Sequence, residues 1–332
     1  MLSQKKKILF AVLNWGLGHA TRSWELINQY INAGDEVILA SDGLALEFLK
    51  LEFPSLSTLN LPSYNARYAK DASVFQMLKN GWKTQIAVRK EHQVIQDFLQ
   101  KNNIDLIISD NRYGIYNHNV KSIIITHQLN IKAPFGERIV NAQNHKWLNN
   151  FDEIWVPDSN GELSGELSQP IPKILESKVK EIGWLSRFEK EDPLSNPDKI
   201  VVIASGPEPQ KSILIKSIKE ILLKSNTSAV LYTGDPSNIK HEVLGCLTIK
   251  SHALKEEFLE DLKSAKVVIG RSGYSSIMDY KRLGKKMVLI PTPGQDEQIY
   301  LGNYLSVNPD VTMILQKDLT FVTLKEALSE FL

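Results

Sequence analysis

Cysteine is nearly absent: Cys246 is the only one in 332 residues. A single thiol closes no disulfide within the chain and supports no cysteine-based zinc site; it fits a reducing, cytoplasmic setting. A surplus of one charge sign is also missing. Lys plus Arg number 39 against 38 Asp plus Glu, so the basic excess usual in nucleic-acid binders is lacking and no nucleic-acid partner is expected. Long apolar runs are absent too, and none approaches the roughly 20 residues that cross a bilayer. The start imitates a signal peptide, with Lys5, Lys6 and Lys7 ahead of Ile8 to Leu13. That run is too short for a signal h-region and reads as a buried first strand. No Gly-Lys-Ser/Thr phosphate loop occurs, which removes the P-loop ATPases, and the third glycine of the dinucleotide fingerprint is lacking after Gly16 and Gly18.

What is present is an ordinary globular composition, 42% hydrophobic and 23% charged, which argues against disorder. The length suits two domains of about 150 residues. The pattern alternates strand and helix from the start. Ile8 to Leu13 is a strand, Ala20 to Ala33 a helix with Trp24, Ile27 and Ile31 at helical spacing, Glu36 to Ser41 a strand and Asp42 to Leu51 a helix. Residues 62 to 81 are irregular and Trp82 to Lys101 is helical. Strands at Asp105 to Ser109, Ser122 to Thr126 and Phe151 to Pro157 follow. Phe188 to Asp198 is charged, carries two prolines and reads as a linker. The alternation restarts at Lys199. The expected domains are 1–188 and 189–332, with a last helix able to pack back on the first. This is an α/β protein with two Rossmann-like halves, whose ligands belong at the carboxyl ends of the strands and in the cleft between the halves.

Four stretches could carry chemistry. Gly16-Leu17-Gly18-His19-Ala20-Thr21-Arg22 joins the first strand to the first helix. Its glycines let the backbone approach a ligand, its helix start favours an anion, and the His19 imidazole suits a general base. A plain turn with an exposed histidine remains the alternative. Gly270-Arg271-Ser272-Gly273-Tyr274-Ser275-Ser276 is a polar nest at a helix start, fit for a diphosphate. Asp279 follows about one turn on, where a carboxylate could accept from both ribose hydroxyls; a solvated surface acid and simple capping by the serines stay open. Asp296 and Gln298, after Pro291-Thr292-Pro293-Gly294, could read sugar hydroxyls. Ser205-Gly206-Pro207-Glu208-Pro209-Gln210 is a shaped loop after the first strand of the second half.

Together, Arg271-Ser272-Gly273, the acid at Asp279, Gly284, Pro291 and Asp296-x-Gln298 resemble the donor-binding half of the MurG-type glycosyltransferases of family 28. Gly16-x-Gly18-His19 is similar to the loop of their N-terminal half. The resemblance implies the GT-B fold, with two Rossmann-like domains whose parallel sheets face across a cleft. It implies a hexosyltransferase that takes a nucleotide-sugar donor, usually a UDP-sugar such as UDP-GlcNAc, and a role in cell envelope polysaccharide. It places the substrate at Gly16, Gly18, Gly206, Gln210, Arg271, Ser272, Gly273, Ser275, Ser276, Asp279, Asp296 and Gln298. Asp279 stands where the family has Glu. Gln298-Ile299 stands where it has Gln-Gln, which questions a GlcNAc preference. Two prolines and Glu208 occupy its glycine-rich loop, so phosphate binding there is expected to be weaker, with Arg271 balancing phosphate charge instead.

No Asp-x-Asp triplet occurs, so neither a metal nor another cofactor is expected, and helix-end amides would stabilise the leaving UDP. An inverting transfer follows, with His19 as base and Asp110 orienting it; a strand-end cap is the other reading of Asp110. Arg112, Tyr113 and His127 are candidates for the acceptor side. Tyr64, Arg67, Tyr68, Lys70, Lys79, Trp82, Lys83, Arg89 and Lys90 form a basic, aromatic segment that could meet a carbohydrate or lipid-linked acceptor, with peripheral contact at the inner face of the membrane, or be a solvated helix face. A UDP-sugar epimerase of the same architecture and a non-catalytic nucleotide-sugar-binding protein are the alternatives.

Overall fold

The computed structural model describes residues 5–64, 74–133, 135–189, 197, 199–225, 227–235 and 240–331, and of 74–81 the backbone alone. Most of the expected linker, together with Arg67, Tyr68, Lys70 and the Lys79 side chain, lies outside the described residues. The chain divides into two compact units, Met1–Leu185 and Ser186–Leu332.

The first unit runs β1 (Lys7–Val12), α1 (Gly18–Asn32), β2 (Glu36–Ser41), α2 (Gly43–Glu52), β3 (Ser57–Asn60), α3 (Val74–Leu99), β4 (Leu106–Asp110), β5 (Ser122–Ile125), α4 (Glu137–Leu148), β6 (Glu153–Val156) and β7 (Val179–Glu181). Its seven strands are ordered β3-β2-β1-β4-β5-β6-β7 and pair in parallel. Ile8 to Val12 are fully buried. A strand covered on both faces is apolar throughout rather than alternating, which is why this short run was readable as a strand. The strand order reverses between β1 and β4, where Val12 stands opposite Asp110. Open parallel sheets bind their ligands at such a switch point.

The second unit runs β8 (Lys199–Ile203), α5 (Gln210–Ser225), β9 (Ala229–Tyr232), β10 (His241–Leu244), β11 (Leu247–Lys250), α6 (Lys255–Ser264), β12 (Ala265–Gly270), α7 (Tyr274–Arg282), β13 (Lys286–Leu289), α8 (Asp296–Leu305), β14 (Val311–Met313) and α9 (Phe321–Ser329). Its order is β10-β11-β9-β8-β12-β13-β14, parallel except for the β10–β11 hairpin. The switch point falls between β8 and β12, so the loops after these strands are neighbours.

Two expectations change. The irregular stretch 62–81 is helical from Val74, and α3 runs through Gly81. A mid-helix glycine costs only about 1 kcal/mol against alanine, which the rest of a 26-residue helix outweighs. Residues 186 to 188, expected in the first unit, belong to the second, where Ser186 bonds to Asp279. In the last helix, Leu324, Ala327 and Leu328 of α9 share the second unit's core with Val202, Ile269 and Val288. Among the described residues no helix is long and apolar enough to cross a membrane.

Candidate active site

In the first unit the site forms around one carboxylate. Asp110 ends β4, and α1 starts after β1, the adjacent strand. Residues three and four apart lie on one helix face, so His19, Arg22 and Ser23 reach Asp110 together. His19 Nδ1 lies 2.8 Å from Asp110 Oδ1. Arg22 donates through Nε to Oδ2 at 2.7 Å and through its terminal nitrogen to Oδ1; Ser23 Oγ donates to Oδ2 at 2.8 Å. Asp110 and Arg22 are almost wholly buried, whereas 14% of the His19 side chain stays accessible. Burial alone would raise the Asp110 pKa, but Arg22 and then His19 override it and hold the carboxyl well below its usual range. Burial, then the Arg22 charge, lower the His19 pKa against the pull of Asp110. His19 is therefore neutral near pH 7. An ionised carboxylate on Nδ1 makes that nitrogen the protonated one and leaves a lone pair on Nε2.

Gly16 has φ +72, a left-handed turn that a side chain would strain; Gly18 is the first residue of α1, in ordinary helical backbone. Asn111, next to Asp110, also takes a left-handed φ, +58, and its Oδ1 is buried with no hydrogen-bond partner among the described residues. Strain of that kind collects at functional sites. His127 follows β5 and is the other titratable neighbour that His19 feels.

Arg112 is a correction. Its side chain is fully buried, and its donors go to Glu91, to Asp42 Oδ1 at 2.7 Å, to the Val12 carbonyl at 3.3 Å and to the Pro62 carbonyl at 2.6 Å. It braces β1, the end of β2, the chain before α3 and α3 itself, with its donors directed to the protein. Glu91 also accepts from Tyr64 Oη at 2.7 Å and from the Gly114 amide at 2.9 Å. A Cβ on Gly114 would strike the Val88 carbonyl and come within 2.8 Å of Glu91 Oε2, so glycine is required there. Tyr113 is buried against Trp147 with ring centroids 5.0 Å apart.

In the second unit the loops after β8, β12 and β13 converge on Arg271. Its guanidinium donates to the carbonyls of Ser205 at 3.2 Å, Gln210 at 2.9 Å, Ile290 at 3.2 Å and Pro291 at 3.3 Å. Burial lowers its pKa to about 10, so it stays charged at neutral pH. Arg271 thus shapes the loops with the donors expected to face phosphate. Ser272 and Gln298 are likewise internal. Ser272 Oγ donates to the Gln298 carbonyl at 2.6 Å, and Gln298 Oε1 accepts from the Thr292 amide at 2.8 Å. Asp296, by contrast, is exposed at the start of α8.

Gly273 is the N-cap of α7 and offers no side-chain cap, so Ser275 and Ser276 sit in the first turn without capping it. A helix end of that kind suits an anion. The start of α5 differs. Glu208 Oε2 accepts from the Ser212 amide at 3.2 Å, so a carboxylate of the chain itself holds an amide of that helix start. Gly206, with φ +105, passes 3.8 Å from Arg271 Nε at its would-be Cβ, and Gln210 is further held by Gln316 at 2.8 Å. Asp279 is buried on α7 and accepts from Ser186 Oγ at 2.6 Å. Burial raises its pKa to about 6, against the opposing effects of Arg187, Ser186 and Arg282.

Arg22 closes the first candidate stretch but was given no role there, and Ser23, Glu91 and Ser186 were not singled out from the sequence. The His19-x-x-Arg22-Ser23 spacing carried the signal for Arg22 and Ser23, whereas Glu91 and Ser186 have none. Among the described residues no cluster of His, Cys, Asp or Glu is arranged to hold a metal ion.

Residues 200–332 match the family model described as the glycosyltransferase family 28 C-terminal domain. No curated protein matches the chain in sequence. Similar solved structures cover both units. The glycotransferase of kitacinnamycin shares 14% identity over 99% of this chain and 91% of its own, with TM-score 0.67. Acinetobacter baumannii MurG shares 11% over 98% and 90%, with TM-score 0.60. Arabidopsis thaliana UGT89C1, complexed with UDP-L-rhamnose, shares 14% over 99% and 90%, with TM-score 0.68. Likeness at this identity establishes the common GT-B fold. The family match concerns the second unit, from residue 200 onward.

Proposed function

We propose that this MurG-like glycosyltransferase moves a hexose from a nucleotide-sugar to an acceptor hydroxyl, with inversion at the sugar C1 and UDP as the leaving group. The His19–Asp110 pair, 2.8 Å apart at the switch point of the first unit, supports this reading most. The acceptor hydroxyl gives its proton to His19 Nε2. Its oxygen bonds to C1 on the face opposite the diphosphate. The C1–O bond to the β-phosphate breaks, and its electron pair leaves with UDP. The Nδ1 proton stays between His19 and Asp110, so that the imidazolium forms beside an ionised carboxylate. The uncapped start of α7 offers amides to the charge growing on UDP, and Asp279 accepts from the ribose hydroxyls. The lack of an Asp-x-Asp triplet supports a site that works without a metal ion.

The assay is UDP release from a set of UDP-sugars, UDP-GlcNAc included, over a panel of hydroxyl acceptors in EDTA. Wild-type turnover is expected to persist. His19→Ala is expected to lose about 10²- to 10⁴-fold. Near-normal turnover in His19→Ala would remove the base assignment, and a sugar epimer formed without acceptor would replace transfer by epimerisation.

For the acceptor side we propose a lipid-linked carbohydrate met at the inner membrane face. Helices α3 and α4 are joined by a Gln85–Gln143 hydrogen bond, and they expose Trp82 at 69% and Ile139 at 78%. Lys83 follows Trp82 and Arg138 precedes Ile139. Apolar side chains beside lysine and arginine suit an anionic bilayer surface. The whole chain is expected to sediment with phosphatidylglycerol vesicles at low salt, and Trp82→Ala with Ile139→Ser to stay in the supernatant. A wild-type chain that never sediments points to a soluble carbohydrate acceptor.

A further inference from the structure

The pairing of a histidine with an aspartate does not by itself set what the histidine does. An isolated carboxylate on Nδ1 stabilises the imidazolium and makes the ring hold its proton. Here the carboxylate is shared. Arg22 grips both oxygens of Asp110 from one turn further along α1, with Nε at 2.7 Å from Oδ2 and its terminal nitrogen on Oδ1, and Ser23 adds a third donor at 2.8 Å. Two parallel N–H bonds fix the plane of a carboxylate as well as its charge. The groups that face His19 are Arg22 from its own helix, Asp110 from β4 and His127 beyond β5. Two of the three oppose protonation.

We propose that Arg22 is the positioning residue of the general base: it clamps Asp110 in a two-point fork, so that the carboxylate orients His19 without drawing a proton onto it. Ser23 completes the clamp from the same helix face. The guanidinium itself is 2% exposed and touches no substrate. It acts through Asp110 alone. The direction of the His19 shift, downward by burial and then by Arg22, agrees with this geometry.

The inference deepens the base assignment and rests on it for its kinetic half only. The His19 ring is followed by carbon-13 NMR titration in the free whole chain, which needs neither donor nor acceptor. Arg22→Met is expected to raise the His19 pKa by about 1–2 units, since an adjacent charge shifts a pKa by that much. The acid limb of kcat/KM for UDP release moves up with it. An unchanged His19 titration with a lower Tm would show a brace for α1 and nothing more, which overturns the proposal. Arg22→Lys keeps the charge and loses the fork, and so decides the matter if Arg22→Met does not fold. It is expected to leave the titration near wild type while kcat falls roughly 10- to 100-fold at unchanged KM, the cost of a misplaced catalytic group. A kcat equal to wild type in Arg22→Lys overturns the positioning role. If the wild type releases no UDP from any donor, the transfer reading fails, and the titration of His19 still tests the clamp.

Discussion

Asp110→Ala is expected to lower stability by about 3–5 kcal/mol and to abolish turnover. The first effect comes from what is left behind. Arg22 is 2% exposed, and both of its bonds to Asp110 would be lost. A buried charge stripped of its partner costs about 3–5 kcal/mol, whereas removing both partners of a buried pair is often close to neutral. Set against a typical total of about 5–15 kcal/mol, that is a large share. For a unit of 185 residues it corresponds to a Tm fall of about 10 °C. The double variant Arg22→Met with Asp110→Ala is therefore expected to regain much of the loss, measured by denaturant unfolding of all four members of the cycle. Additive losses in the double variant would show that the two side chains stabilise independently. Turnover in the double variant stays absent, because His19 has lost the acceptor that fixes its tautomer. Asp110→Asn isolates that second effect: an amide there can favour the other tautomer, and a change of this kind in a comparable triad costs about 10⁴-fold.

Asp279→Asn is expected to do the opposite to stability while removing donor recognition. The Asp279 carboxyl is 7% exposed and its pKa is raised to about 6 from an ordinary 3.8. A carboxyl whose folded pKa lies above its unfolded value favours folding most where it is protonated, and stability is lost as pH rises through the folded value. The window is therefore pH 4 to 7. At 1.36 kcal/mol per unit, ionising Asp279 costs about 3 kcal/mol above that window and nothing below pH 4. Asparagine escapes the cost, and its Oδ1 still accepts from Ser186. Thermal unfolding should show Asp279→Asn the more stable at pH 8 and level with wild type at pH 4. A constant difference across that range would refute the burial cost. The same variant offers one acceptor oxygen where the ribose reading needs two. The Tm rise that UDP gives the wild type should therefore vanish in it. A UDP response equal to that of the wild type would remove Asp279 from the donor site.

Most of this architecture was legible because a parallel strand covered on both faces is a plain apolar run. Ile8 to Leu13 and Val267 to Gly270 could be read for that reason. The β10–β11 hairpin could not, since His241 to Leu244 is short and mostly exposed. The start of α3 was hidden by Gly81, a residue whose local preference the surrounding helix overrides. At the site, His19 and Asp110 could be paired in advance because His19 follows the first strand and Asp110 ends a neighbouring one. Arg112 and Arg271 misled for a common reason. In a sequence an arginine reads as an exposed cation facing an anion, and nothing local reveals that its donors are spent on Glu91 and Asp42 in one case and on four carbonyls in the other.

The carboxylate of Glu208 on the Ser212 amide makes the start of α5 a helix end with its anion already attached. A tethered group of this kind is present at an effective concentration on the order of millimolar, however dilute the solution. A diphosphate arriving there would compete with a ligand that never diffuses away, and it would meet like charge as it came. The starts of α5 and α7 are therefore unequal in what they can hold. The first is met by a carboxylate of the chain, the second has a glycine N-cap with no side-chain cap, and under the proposed reading a donor with two phosphates is expected on the side of Gly273.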